Sequence, residues 1–124
     1  MSKEYISKQC GEILHIYDPI YKQNYYYFCC KSHKDYQRIA RLKFKIEFKD
    51  KTNTDGAFNV FEHGGIEVCF IWTKGRKVEL IAHEISHAVS YVLRQKGLPL
   101  SDDTEEAYAY LTQFLMNQII RKAG

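Results

Sequence analysis

A chain of 124 residues with 45% apolar and 27% charged residues has the size and balance of one globular domain with one core. Its 18 Lys and Arg against 15 Asp and Glu leave a net charge of only +3, too mild to argue for a nucleic-acid partner. Ten Tyr and seven Phe promise a large core payload or an aromatic-lined surface.

The N-terminus, Met1 to Tyr5, is polar, and no apolar run is long enough for a leader core or a membrane span. The expectation is a cytoplasmic protein without a membrane partner. Cys10, Cys29, Cys30 and Cys69 show no CxxC spacing and are read as reduced thiols. Ile13 to Tyr17 and Tyr25 to Cys30 are rich in β-formers, with Asp18-Pro19 as a turn between them. The Tyr25-Tyr26-Tyr27-Phe28 run could stack on bases, but a buried strand is simpler, since no basic stripe accompanies it. Ser32 followed by Asp35 resembles a helix start. From Leu42 two periods compete: Leu42, Phe44, Ile46 and Phe48 alternate as in a strand, while Ile39, Leu42 and Ile46 keep helical spacing. A helix ending near Lys45 is favoured, with Arg41, Lys43 and Lys45 as its solvated face.

Lys49 to Gly56 reads as a turn. Ala57 to Phe61 and Ile66 to Trp72 read as strands joined by a hairpin turn at Glu62-His63-Gly64-Gly65. A helix from about Val78 to Gln95 is closed by Gly97 and Pro99. Ser101, Asp102 and Asp103 are N-cap candidates for a last helix to about Arg121. The expected fold is α+β: residues 1–124 as one domain with a small sheet, one backing helix and two C-terminal helices.

The chemistry concentrates in His83-Glu84-Ile85-Ser86-His87. Residues four apart on a helix share a face, so both imidazoles can reach one tetrahedral Zn²⁺. Val78, Ile81, Ala82, Ile85, Ala88, Val89 and Val92 form the opposite, core-facing stripe. Glu84 points to one side, where it can take a proton from a metal-polarised water. The bland alternative, two accidental histidines on a solvated face, explains neither the amphipathic setting nor the carboxylates nearby. Glu105 and Glu106 open the next helix and either could be the third ligand. Ala107, Tyr110, Leu111 and Phe114 form one inward stripe with Glu106 at its border; Tyr108, Leu115 and Ile119 form a second row nearer Glu105. The small Ala109 would let this helix approach the histidine helix. The longer metzincin motif is absent, because its Gly and third His positions hold Ser90 and Leu93. Tyr91 and His63 are candidate donors to a developing oxyanion, against an ordinary packing or surface role.

The run Leu80-Ile81-Ala82-His83-Glu84-Ile85-Ser86-His87-Ala88-Val89, then Glu106-Ala107-Tyr108-Ala109-Tyr110-Leu111, with Tyr17-Asp18-Pro19-Ile20-Tyr21 near the start, resembles small phage- and prophage-encoded zincin-like proteins over most of the chain. The resemblance implies a minimal gluzincin fold and zinc bound by His83, His87 and Glu106, with Glu84 as general base and acid. Larger gluzincins often carry an Asp four residues after the glutamate ligand; here that position is Tyr110, whose phenol offers a hydrogen bond but no charge. Three ligands plus water favour catalysis, namely hydrolysis of a peptide or protein, with the edge strand Ala57 to Phe61 holding the substrate extended; the resemblance to phage-encoded proteins implies that this takes place in the host cytoplasm. The competing function is a phage accessory protein that keeps zinc without proteolysis. A DNA-associated role is disfavoured by the lack of a strong basic patch.

Overall fold

A computed structural model of the chain describes residues 13–48 and 54–122. Cys10, the polar N-terminus and most of the turn expected at Lys49 to Gly56 lie outside the described residues. Four strands, β1 (Leu14–Asp18), β2 (Gln23–Cys30), β3 (Gly56–His63) and β4 (Ile66–Lys74), and three helices, α1 (His33–Phe44), α2 (Val78–Gln95) and α3 (Glu105–Lys122), give an α+β architecture. The sheet is mixed, in the order β1-β2-β4-β3. β1 and β3 pair antiparallel with β2 and β4, whereas β2 and β4 run parallel, in a register that sets Asn24 beside Val68 and Cys30 beside Lys74.

Local chemistry explains the connections. The Asp18 carboxylate accepts from the backbone N–H groups of Ile20 and Tyr21 at 2.9 and 3.3 Å, an Asx-type turn that reverses β1 into β2. Gly64 and Gly65 both have positive φ, 62° and 79°, as a two-residue type I′ hairpin demands. β3 therefore runs to His63, past the expected Phe61, while β4 starts at Ile66 as expected. Ser32 caps α1 by accepting from the Asp35 N–H at 3.1 Å. Lys45 ends that helix in the left-handed region at φ 57°. The helix holds through Phe44, as expected, but Leu42 is exposed, so neither period carries from that residue; after Lys45 an irregular stretch buries Ile46 and leaves Phe48 edge-on to Tyr36.

Each sheet face carries its own core. On one, Tyr25, Tyr27, Cys69 and Ile71 meet Ile81, Ile85 and Val92 of α2 and Leu111, Leu115 and Ile119 of α3. On the other, Phe28, Phe70 and Trp72 meet Tyr36, Ile39 and Phe44 of α1. The aromatic run of β2 is thus divided between two cores, as a buried strand requires. Each fully buried side chain of this size contributes about 1.5–3 kcal/mol.

Helix α3 runs back along α2. The Tyr108 hydroxyl donates to the Leu98 carbonyl at 2.8 Å, and the Arg76 guanidinium donates to the carbonyls of Ile119 and Ile120 at 3.3 and 3.4 Å. Two expectations need correction. Val78 and Ala82 are exposed, so the buried stripe of α2 starts at Ile81 and extends to Leu93. The position immediately before α3 is Thr104 rather than Ser101, Asp102 or Asp103, and its hydroxyl ties the preceding loop, accepting from the Ser101 N–H at 2.9 Å and donating to the Pro99 carbonyl at 2.7 Å. Among the described residues, no helix is long and apolar enough to cross a membrane.

Candidate metal centre

The buried stripe of α2 fixes the rotation of that helix, and the opposite face carries His83 and His87, both exposed. Their rings are edge to face, with centroids 4.9 Å apart, and their Nε2 atoms are 3.3 Å apart. Two nitrogens at about 2.0–2.1 Å from a tetrahedral zinc would themselves be separated by about 3.3 Å. The separation of the pair is therefore compatible with two ligands of one such ion. Without a metal, the same contact serves as a long N–H···N hydrogen bond.

Glu84 faces sideways from α2 and is buried. One of its carboxylate oxygens and a ring nitrogen of each histidine lie within 4.8 Å of one another, and these three residues are the group among the described residues that could hold a metal ion. Burial raises the Glu84 carboxyl above its ordinary pKa, while His83 and His87 act in the opposite sense. The carboxylate has room because residue 56 is glycine: a Cβ there would lie 2.8 Å from Glu84 Oε2 and 3.2 Å from both Glu84 Cγ and the Trp72 carbonyl oxygen.

Glu84 and His87 open onto a cleft of about 600 Å³, lined also by Ser90 and Tyr91 of α2, Phe58 and Asn59 of β3, and His33 and Gln37 of α1. β3 is an edge strand, so the cleft borders backbone with one unpaired side.

The other candidates are placed unevenly. Tyr91 lines the cleft, but its hydroxyl donates to Glu67 Oε1 at 2.8 Å. Burial and the Glu67 carboxylate push its phenol up to about 12. His63 stands at the hairpin, edge-on to Phe44, and does not line the cleft. Glu105 and Glu106 are both exposed in the first turn of α3 and outside the three-residue group. The inward row of α3 is Leu111, Leu115 and Ile119, with Ala107, Tyr108, Phe114 and Met116 beside it. Tyr110, expected on the inward stripe, is 66% exposed. Ala109 is also exposed, so the approach to α2 is made by its neighbours.

Sequence reasoning missed two residues near the site. His33 has no motif around it and joins the cleft only because α1 packs on the far sheet face. Gly56 had a weak signal, since a glycine at a strand start often marks a close approach. No family model, curated protein or solved structure matches the chain.

Proposed function

We propose that the protein is a zinc-dependent peptidase with a zincin-like site, hydrolysing a peptide or protein substrate. The observation that carries this reading is the 3.3 Å separation of the His83 and His87 Nε2 atoms beside the buried Glu84 carboxyl. Two imidazoles at this spacing suit zinc by donor type and distance. His83 and His87 would hold the ion through Nε2. A bound zinc ion supplies a Lewis acid and lowers the pKa of a water molecule in contact with it. Glu84 accepts the proton of the attacking water and returns it to the leaving amine. The edge of β3 aligns the peptide in extended form beside α2.

Glu106 is the proposed third protein ligand, on the resemblance to small phage and prophage zincin-like proteins, which also suggests action in the host cytoplasm. Its exposed position outside the metal group favours one competing reading, an accessory protein that holds zinc without hydrolysis. Zinc-loaded protein incubated with host or phage lysate, followed by N-terminal peptide mapping with Glu84→Gln as control, separates the two. New N-termini with the parent alone support the peptidase. Identical maps from parent and variant, both carrying zinc, support the accessory protein.

A further inference from the structure

The wall of the cleft opposite α2 contains a histidine that the proposed chemistry leaves unused. His33 is the first residue of α1 and only 7% exposed, yet it lines the same cleft as Glu84 and His87. Its ring lies nearly parallel to the Trp72 indole, with centroids 5.0 Å apart and planes 13° apart. It is also stacked against Tyr36 at 6.0 Å and 15°. Both partners are anchored. Trp72 is fully buried, and the Tyr36 hydroxyl donates to Asn59 Oδ1 of β3 at 2.8 Å. The Ser32 cap fixes the start of the helix that carries the imidazole. Trp72 and Tyr36 are themselves parallel, with centroids 5.4 Å apart and planes 3° apart, so the imidazole rests on one anchored aromatic stack, and its contact with Gln37 Nε2, at 3.5 Å, is long for a hydrogen bond.

The two walls meet around β3. Gly56, which gives Glu84 its room, pairs with Thr73, and the next residue, Ala57, pairs with Trp72. Tyr36 is held well above its ordinary pKa, first by burial and then by Cys30 and Glu84. Tyr91 cannot serve as donor without giving up Glu67.

We propose that His33 is a substrate-binding residue, its imidazole N–H donating to a main-chain carbonyl oxygen of a peptide lying along β3, across the cleft from Glu84 and His87. The assignment rests on the peptidase reading above. An extended peptide presents carbonyl oxygens at a regular repeat, and a donor fixed by stacking loses little entropy on binding one.

The test uses the full chain loaded with zinc and two ligands. One is a mixture of phosphinic pseudotripeptides, which present a tetrahedral acid group and a peptide main chain. The other is acetohydroxamate, which engages the metal and has no peptide. His33→Phe keeps an aromatic ring on Trp72 and removes the donor; His33→Gln removes the ring and restores a donor. The phosphinates should bind His33→Phe about ten-fold or more weakly than the parent, and His33→Gln should recover part of that loss. Acetohydroxamate affinity and the thermal midpoint of His33→Phe should match the parent. Equal phosphinate affinity in parent and His33→Phe overturns the role of His33 and leaves the peptidase reading intact. A lowered midpoint with both ligands weakened alike makes His33 structural and likewise overturns it. A zinc-loaded parent that binds acetohydroxamate but no phosphinate, or neither ligand, overturns the peptidase reading and the inference with it.

Discussion

Gly56 decides where Glu84 can stand. A methyl group in its place would press on Glu84 Oε2 at 2.8 Å and on the Trp72 carbonyl at 3.2 Å. The carboxylate is the mobile partner, so Gly56→Ala should displace it while the histidines keep the metal. Proton transfer contributes about 10²–10⁴-fold to such reactions. Gly56→Ala should therefore lower the turnover of zinc-loaded protein by about ten-fold or more, with zinc affinity by calorimetry nearly unchanged; an unaltered rate would remove Glu84 from the chemistry. The same carboxyl affects stability. Its pKa is raised in the fold by burial, so between the unfolded value, about 4.3, and the folded value the native state binds more protons than the unfolded state. Stability then falls as pH rises through that window, and below it the group contributes nothing. Metal-free Glu84→Gln should equal the parent in urea unfolding at low pH and exceed it at neutral pH. A difference that does not change with pH would contradict the burial. The sequence shows the His83, Glu84 and His87 set because all three lie within two turns of one helix. It could not show His33 or Gly56 as their neighbours, since those contacts cross the sheet edge.

Helix α3 shows how far periodicity carries at the level of an element. Its length and its opposing polar and apolar faces are plain in the sequence, but two apolar rows compete, and only packing against α2 and β1 selects Leu111, Leu115 and Ile119. That choice turns Tyr110 outward. Truncating the selected row should be costly: Leu115→Ala is expected to destabilise the protein by about 2–5 kcal/mol. Tyr110→Ala should change stability by under about 0.5 kcal/mol. Equal losses in equilibrium unfolding would reverse the orientation of the helix. The first turn carries the question of the third ligand. If both glutamates only complement the positive end of the helix, each contributes about 0.3–1 kcal/mol to stability and nothing to metal binding. As a ligand, Glu106 should do more: Glu106→Ala should weaken zinc binding strongly and Glu105→Ala hardly at all, with the reverse order or equal affinities overturning the assignment. Helix α1 resolves differently. The alternation through Ile46 and Phe48 is genuine but belongs to the irregular stretch after Lys45 turns left-handed, a local backbone reversal that hydrophobic spacing does not encode.

Across the molecule, the least legible feature is the parallel pairing of β2 with β4. Those strands are separated by a helix and a hairpin, and no local signal specifies such a distant partner. Yet this pairing builds the site. With β3 turned out to the edge, the C-terminal ends of β2 and β4 lie together, and α1 and α2 start from that one end, bringing His33 and Glu84 to a common cleft. A metal that binds only the folded chain stabilises it in proportion to the logarithm of its excess over Kd, so zinc should raise the thermal midpoint of the parent and leave that of a His83→Ala, His87→Ala double variant unchanged. Hydrolysis should follow the same occupancy. Titrating zinc into metal-free protein and recording cleavage of a quenched fluorescent protein substrate should give a rate that climbs in proportion to added metal and breaks at one equivalent per chain. Glu84→Gln should bind the same equivalent and stay flat. A rate independent of zinc, or a Glu84→Gln curve that overlays the parent, would refute a zinc peptidase at this site.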